Sequence, residues 1–271
     1  MEYKPKLIET NVNISKKSAL KELFSLFAVL LFIVAVIYIS LGFAVDIIVA
    51  KMPHELENSL SKVISKIYKD KTRTEEENYL QNILNTLASG IQNKKNYTVQ
   101  IEKDSRLNAL AVPGNRIIIF SGLLKEISSE NEISFVLAHE LGHFNHNDHL
   151  KAFGRNLVFF AISTVLLGEK NPASNFMQNS ISNLEMKFSQ SQEKNADLFA
   201  LTLLNRVNGN VNGSLEFMNL LAKKTKTPKF MVFFASHPHP EKRLDYIKET
   251  IRLRDYKTDK KELKTYPFLE R

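Results

Sequence analysis

The sequence predicts an α+β fold, mostly helical, with a small antiparallel β-sheet or hairpin, preceded by one N-terminal transmembrane helix. Three observations carry this expectation. Leu23 to Val45 contains no charged residue, and a bilayer core needs about 20 such positions. Tyr97, Val99 and Ile101 alternate with polar residues, as strand residues do, and two more short strand-like segments follow up to Phe120. Most of the remaining apolar residues recur at helical spacing. One of the helices so predicted contains His139-Glu140-Leu141-Gly142-His143.

Taken in order, residues 1–22 form a basic segment and 23–45 the span. A cleaved signal peptide is the alternative, but its apolar region usually runs only about 7–15 residues. Lys4, Lys6, Lys16, Lys17 and Lys21 precede the span, while Lys51 and Lys62 follow it. The positive-inside bias therefore places the N-terminus in the cytoplasm. The expectation is a single-pass protein of the cell membrane with an extracytoplasmic catalytic domain, periplasmic in a Gram-negative cell. That domain covers 51–256, and a charged, solvated tail covers 257–271.

Within the domain, Leu56, Leu60, Val63, Ile64 and Ile67 mark one amphipathic helix. Leu80, Ile83, Leu84 and Leu87 mark a second, beginning among Glu75, Glu76 and Glu77, which suit a helix N-terminus. Tyr97, Val99 and Ile101 argue a strand. Asn108–Val112 and Arg116–Phe120 argue two more, joined by a turn at Pro113-Gly114-Asn115. Ser129 and Glu132 form a capping box for a helix from Glu130 to about Lys151. Asn156–Gly168 is apolar and too short to span, so it reads as a buried or membrane-dipping helix. Asn171–Ser191 reads as a loop or weak helix. Helices follow at Gln192–Leu204, Leu215–Ala222 and, opened by Pro238 and Pro240, up to Arg254.

Composition narrows the chemistry. The 271 residues include no Cys, which excludes disulfides, thiolate-bound zinc and thiol catalysis. The net charge is +8. The lysines are scattered and no aromatic-basic motif accompanies them, so nucleic acid is not the expected partner. An anionic lipid surface fits better.

His139 and His143 lie about 40° apart around a helix and one turn apart along it. Both imidazoles can reach one metal ion. Glu140 projects beside that pair, where a zinc hydrolase needs a carboxylate base. A catalytic zinc wants a third protein ligand. His149 competes for that place, but on an unbroken helix it points away from the histidine pair. Glu193 is the better candidate. It forms a Glu-x-x-x-Asp pair with Asp197 on one helix face, so Asp197 can accept a hydrogen bond from a ligand imidazole. Glu169 and Glu185 are rivals without such a partner. His146 returns to the face of His139 but lies too far along the axis to share the ion, and lines the cleft or the surface. Asp148 and His149 read as facing solvent or capping loops.

These residues resemble the membrane-associated zinc endopeptidases that include HtpX and the CAAX prenyl proteases. The likeness covers roughly Leu80 to Ile247. It rests on Asn108-Ala109-Leu110-Ala111-Val112-Pro113-Gly114, Ser121-Gly122-Leu123-Leu124, the His-Glu-Leu-Gly-His core, Glu193 to Asp197, and Ser236-His237-Pro238 with Arg243. Asn115 stands where that family has a second glycine. The resemblance implies a gluzincin-type domain with one Zn2+, held by His139, His143 and Glu193, with Glu140 as base. It implies His237, or Arg243, as the donor facing the oxyanion. Arg243 could equally pair with Asp197, and His237 could fill the zinc's open position at rest. Asn108, Ala109, Leu110 and Ala111 would border the site as an edge strand and bind an extended, unfolded polypeptide. Protein quality control follows from the resemblance alone. Prenyl-protein processing fits poorly, because the chain has one clear span. A zinc-containing chaperone-like module and a small-peptide exopeptidase are the competing classes. Nothing in the sequence sets the oligomeric state.

Overall fold

The computed structural model describes residues 18–52, 57, 61–62, 72–92, 95–168, 187–224, 230–259 and 263–268. The helix expected through Leu56, Leu60, Val63, Ile64 and Ile67 lies outside the described residues, as does the weak pattern from Asn171 to Met186. Helix α1, Ala19–Ala50, is long and apolar enough to cross a membrane and exposes its side chains over nearly its whole length. Helix α2, Glu75–Ser89, starts at a capping box between Thr74 and Glu77 and buries Leu80, Leu84 and Leu87.

Three strands follow: β1 Thr98–Glu102, β2 Ala109–Val112 and β3 Arg116–Phe120, in spatial order β1-β3-β2. The expected hairpin forms between β2 and β3, and Asn115 turns it with φ 56°. Asparagine tolerates that left-handed conformation, so it can stand in for glycine. The sheet is mixed rather than wholly antiparallel, because β1 runs parallel to β3. The reason lies in α2. Val99 N–H donates to Gln81 Oε1 (3.1 Å), Ile101 N–H donates to Glu77 Oε1 (2.7 Å), and Gln81 Nε2 donates to Tyr97 O (2.9 Å). Side chains of α2 thus satisfy the outer edge of β1, as a further strand would. Strand β2 is the other edge.

A short helix α3, Ser121–Leu124, leads to α4, Glu130–Asn145, which starts at the expected Ser129/Glu132 capping box. Every residue of α4 from Glu132 to Phe144 is buried, so this is the central helix of the domain and not a surface one. The helix expected to run on to Lys151 is instead interrupted. Asn147 is left-handed (φ 55°), and a new helix α5, Asp148–Leu167, leaves in another direction. Helix α6, Gln190–Asn208, crosses α4, and α7 (Ser214–Lys223), α8 (Met231–Ser236) and α9 (Pro240–Leu253) complete the domain.

The described part of the tail is mostly exposed, as expected, but it is anchored at Tyr266. Glu130 N–H donates to Lys264 O, Tyr266 N–H donates to Ser128 O, and the Tyr266 hydroxyl donates to Glu76 Oε1 at 2.7 Å. The Tyr266 ring is buried against Tyr79 and Phe268. Two aromatic residues in a tail rich in charge make no periodic pattern, which concealed that anchor.

Candidate metal centre

The centre lies where α4 crosses α6. Gly142 allows the crossing: a Cβ there would fall 2.8 Å from Ala196 Cα and 3.0 Å from Ala196 O. This close approach sets His139 and His143 of α4 against Glu193 and Asp197 of α6. Residues His139, His143, Glu193 and His237 each offer a donor atom, and the four atoms lie within 4.8 Å of one another. All four side chains are buried.

Each α4 histidine is held from behind by a carboxylate. His139 Nδ1 is 2.9 Å from Asp197 Oδ1, and His143 Nδ1 is 3.2 Å from Asp148 Oδ2. With each Nδ1 facing a carboxylate, both Nε2 atoms point inward, and they are 3.2 Å apart. Two nitrogens bound tetrahedrally to one zinc at about 2.0–2.1 Å would lie about 3.3 Å apart. Glu193 Oε2 is 3.6 Å from His139 Nε2, and Glu193 Oε1 is 3.4 Å from His143 Nε2. Two imidazoles and a carboxylate converging on one point are a donor set suited to zinc.

Glu140 is buried beside these donors. Its Oε1 is 3.9 Å from His237 Nε2. Among the described residues, Glu140 Oε2 and His237 Nε2 are buried with no hydrogen-bond partner. Buried polar atoms are rarely left so, and here both adjoin the point where the other donors converge. His237 Nδ1 is 3.0 Å from Glu193 Oε1, and its ring stacks on Phe233. Phe188 stacks on His143 with ring centroids 3.8 Å apart. The two phenylalanines help close the centre off from solvent.

Electrostatics support the same arrangement. Burial raises the Glu193 pKa, but the charges of Arg243 and His237 and hydrogen bonds with His143 and His237 hold it well below the usual carboxylate range. Burial opposes the Asp197 charge too, and Arg243 and His139 outweigh it. His139 is lowered, chiefly by burial. Burial also lowers His143, but hydrogen bonds with Asp148 and Glu193, and the charges of Glu193 and Glu140, push it up to about 10.

Arg243 is buried against two carboxylates of α6. Its Nε and Nη2 donate to Asp197 at 2.8 and 2.7 Å, and its Nη1 pairs with Glu193 Oε2. Of the two expectations for Arg243, donor to the oxyanion or partner of Asp197, these contacts match the second, and they extend it to Glu193. Asp148 departs from expectation. It is buried, not in solvent, and its other oxygen accepts from Gln192 Nε2 at 2.8 Å. The interruption at Asn147 turns it back towards His143. An Asn-Asp pair just past a helix is a stop signal that could have revealed it. His149 is also buried, and its Nδ1 lies 3.5 Å from His143 O, outside the donor cluster. His146 turns to Gly142 O (2.8 Å) and lines a separate surface cleft with Phe199 and Arg206. Glu169 and Glu185 lie outside the described residues. Asn108 is buried, with Nδ2 3.2 Å from Ser236 Oγ, so it links the start of β2 to the residue before His237. Ala109, Leu110 and Ala111 lie on that edge strand, and their side chains are buried.

A central helix bearing His-Glu-x-x-His, crossed by a helix that supplies a glutamate, defines a metallopeptidase domain. Residues 74–251 match the model of Peptidase family M48, and the chain belongs to that family. It is 27% identical over 179 residues to the mitochondrial metalloendopeptidase OMA1 of Schizosaccharomyces pombe, covering 63% of this chain and 52% of that protein. It is 28% identical over 176 residues to the metalloprotease LoiP of Escherichia coli, covering 63% and 68%. A putative beta-barrel assembly-enhancing protease of Vibrio cholerae is 25% identical over 191 residues, covering 64% and 39%. The chain thus aligns with about half the length of the first of these relatives and less of the Vibrio protein.

Proposed function

We propose that the chain is a membrane-anchored zinc endopeptidase that cuts unfolded or misfolded polypeptides in protein quality control. The observation that carries this reading is the convergence of His139 Nε2, His143 Nε2 and the Glu193 carboxylate beside Glu140. His139, His143 and Glu193 would hold one Zn2+. When bound, zinc supplies Lewis acidity that draws the pKa of water towards about 7.

The chain's own residues supply the rest. Glu140 takes the proton of the attacking water and passes it to the leaving nitrogen. His237 Nε2 donates to the carbonyl oxygen as negative charge develops there. Asp197 and Asp148 hold the two ligand rings in the tautomer that keeps Nε2 free. Arg243 fixes Glu193 and Asp197. Edge strand β2, with Asn108 at its start, pairs with the main chain of an extended substrate, which favours unfolded chains. At rest His237 occupies the open side of the centre and must yield as substrate arrives; its place within the donor cluster supports this. Helix α1 anchors the enzyme, with 1–22 cytoplasmic and the catalytic domain on the opposite side.

A buried Glu140 with an unpartnered oxygen argues against a purely structural zinc in a chaperone-like module. Glu140→Gln in the full chain separates the two readings. Loss of cleavage of an unfolded protein with zinc retained is expected. Undiminished cleavage would overturn the enzyme mechanism. Fragment ends identified by mass spectrometry would distinguish internal cuts from exopeptidase trimming.

A further inference from the structure

Helix α5 changes character halfway along. Its first turns carry Asp148 and bury Leu150, Ala152 and Phe153 against the core, where Ala152 and Phe153 meet Leu110, Ile118 and Phe188. Beyond Arg155 the apolar residues turn outward. Leu157, Phe159, Val165, Leu166 and Leu167 are all exposed, Val165 by 84%. Among the described residues, the other exposed large apolar side chains all belong to α1, except Leu253. The two sets form one continuous surface, because the helices lie side by side. Tyr38 meets Phe159 edge-on with ring centroids 6.2 Å apart. A Cβ on Gly154 would fall 2.6 Å from Val45 Cγ1, so the backbones approach closely, as at contacts between membrane helices. Arg155 Nη2 donates to both oxygens of Asp46, at 2.6 and 2.8 Å. These pairings run in opposite senses along the two helices, which are therefore antiparallel.

We infer that the second half of α5, from Asn156 to Leu167, is a lipid-facing re-entrant helix that lies in the same bilayer as α1. The inference rests on α1 spanning that bilayer. The Asp46–Arg155 pair marks the boundary. On one side of it α1 has its charge-free run up to Val45, and α5 has its exposed apolar half. On the other side both helices join the catalytic domain. Charged residues at such a depth pair with each other or reach for the interface. The dozen residues past Arg155 extend about 18 Å, short of a hydrocarbon core of about 30 Å, so α5 enters without crossing. The one buried hydroxyl in this half, Ser163, donates to Phe160 O at 2.9 Å, an internal solution that apolar surroundings require. Asp148, which orients His143, stands only about 10 Å of helix above Arg155. The metal centre is thereby held at the lipid surface, and the residue behind one ligand begins the helix that enters the membrane.

The chain contains no Trp, so single-tryptophan variants report depth without background. Leu157→Trp, Val165→Trp and Leu166→Trp of the full chain, reconstituted in phosphatidylcholine–phosphatidylglycerol vesicles, are compared with Leu31→Trp in α1 and Leu253→Trp in α9. Acyl chains brominated near the headgroup or near the chain end serve as quenchers. Val165→Trp and Leu166→Trp are expected to be quenched by deep bromines as strongly as Leu31→Trp, Leu157→Trp mainly by shallow ones, and Leu253→Trp by neither. Emission from Val165→Trp and Leu166→Trp that matches Leu253→Trp, with Leu31→Trp quenched, overturns the inference: that face is then covered by protein or open to water. Absence of quenching in Leu31→Trp removes the anchoring reading, and this inference with it.

Discussion

Gly142→Ala tests whether the crossing of α4 and α6 builds the metal centre. The added Cβ would meet Ala196 Cα at 2.8 Å and Ala196 O at 3.0 Å, where ordinary contact begins at 3.4 Å. Both obstacles are backbone atoms in the middle of a helix, so a side-chain rotation cannot relieve them. The two helices must separate by about half an ångström, and overpacking of this kind costs about 1–3 kcal/mol. The separation moves His139 and His143 away from Glu193 together. Sites of this sort tolerate errors of about 0.5 Å before function suffers. We expect zinc affinity to fall about 10–100-fold, the range seen when the support of a metal ligand is lost. Competition against a chromophoric chelator reads the affinity, and thermal unfolding of the metal-free chain reads the stability cost. Adding Ala196→Gly should not rescue either, because Cα and O remain in place. Wild-type affinity and melting temperature in Gly142→Ala would refute the reasoning.

Further outcomes follow from the same geometry. Asp148→Ala should weaken zinc binding about 10–100-fold while leaving the fold intact, because it frees the His143 ring; chelator competition and circular dichroism check both parts. Arg243→Met leaves Glu193 and Asp197 buried without their cation and should destabilise the metal-free chain by about 3–5 kcal/mol, measured by denaturant unfolding. His143, pushed up to about 10, is protonated at neutral pH in the metal-free protein and must lose that proton to bind a metal. Zinc binding at pH 7 should therefore release about one proton and weaken as pH falls. Calorimetry in buffers of different ionisation enthalpy counts the protons. Tyr266→Ala should cost about 3–5 kcal/mol by emptying its buried site, a loss that a solvated tail would not show.

The reach of the sequence differs between elements for physical reasons. His139, Glu140 and His143 sit on one helix, and helical periodicity alone brings them together. Glu193 and Asp197 were legible because they form an i, i+4 pair on a helix of their own, although no pattern states which two helices cross. The capping box at Ser129 and the acidic run Glu75 to Glu77 marked helix starts well, since both signals are local to the first turn. Asp148 was lost because its role depends on Asn147 leaving helical geometry, and the surrounding residues alone favour a continuous helix. The parallel placement of β1 was lost because it depends on Gln81 and Glu77, polar residues of a distant helix that satisfy a strand edge. Arg243 could be read as a donor or as a carboxylate partner, and only its distance to Asp197 decides between them. Tyr266 is one apolar contact in a charged segment, too sparse to form a pattern.

The central claim is that His139, His143 and Glu193 together hold one catalytic zinc beside Glu140. Diffraction from the zinc-loaded full chain, with anomalous data on both sides of the zinc absorption edge, addresses it directly. The account predicts one anomalous peak per chain within about 2.0–2.2 Å of His139 Nε2, His143 Nε2 and a Glu193 oxygen. A peak elsewhere, or one bound by the histidines with Glu193 remote from it, would contradict the account.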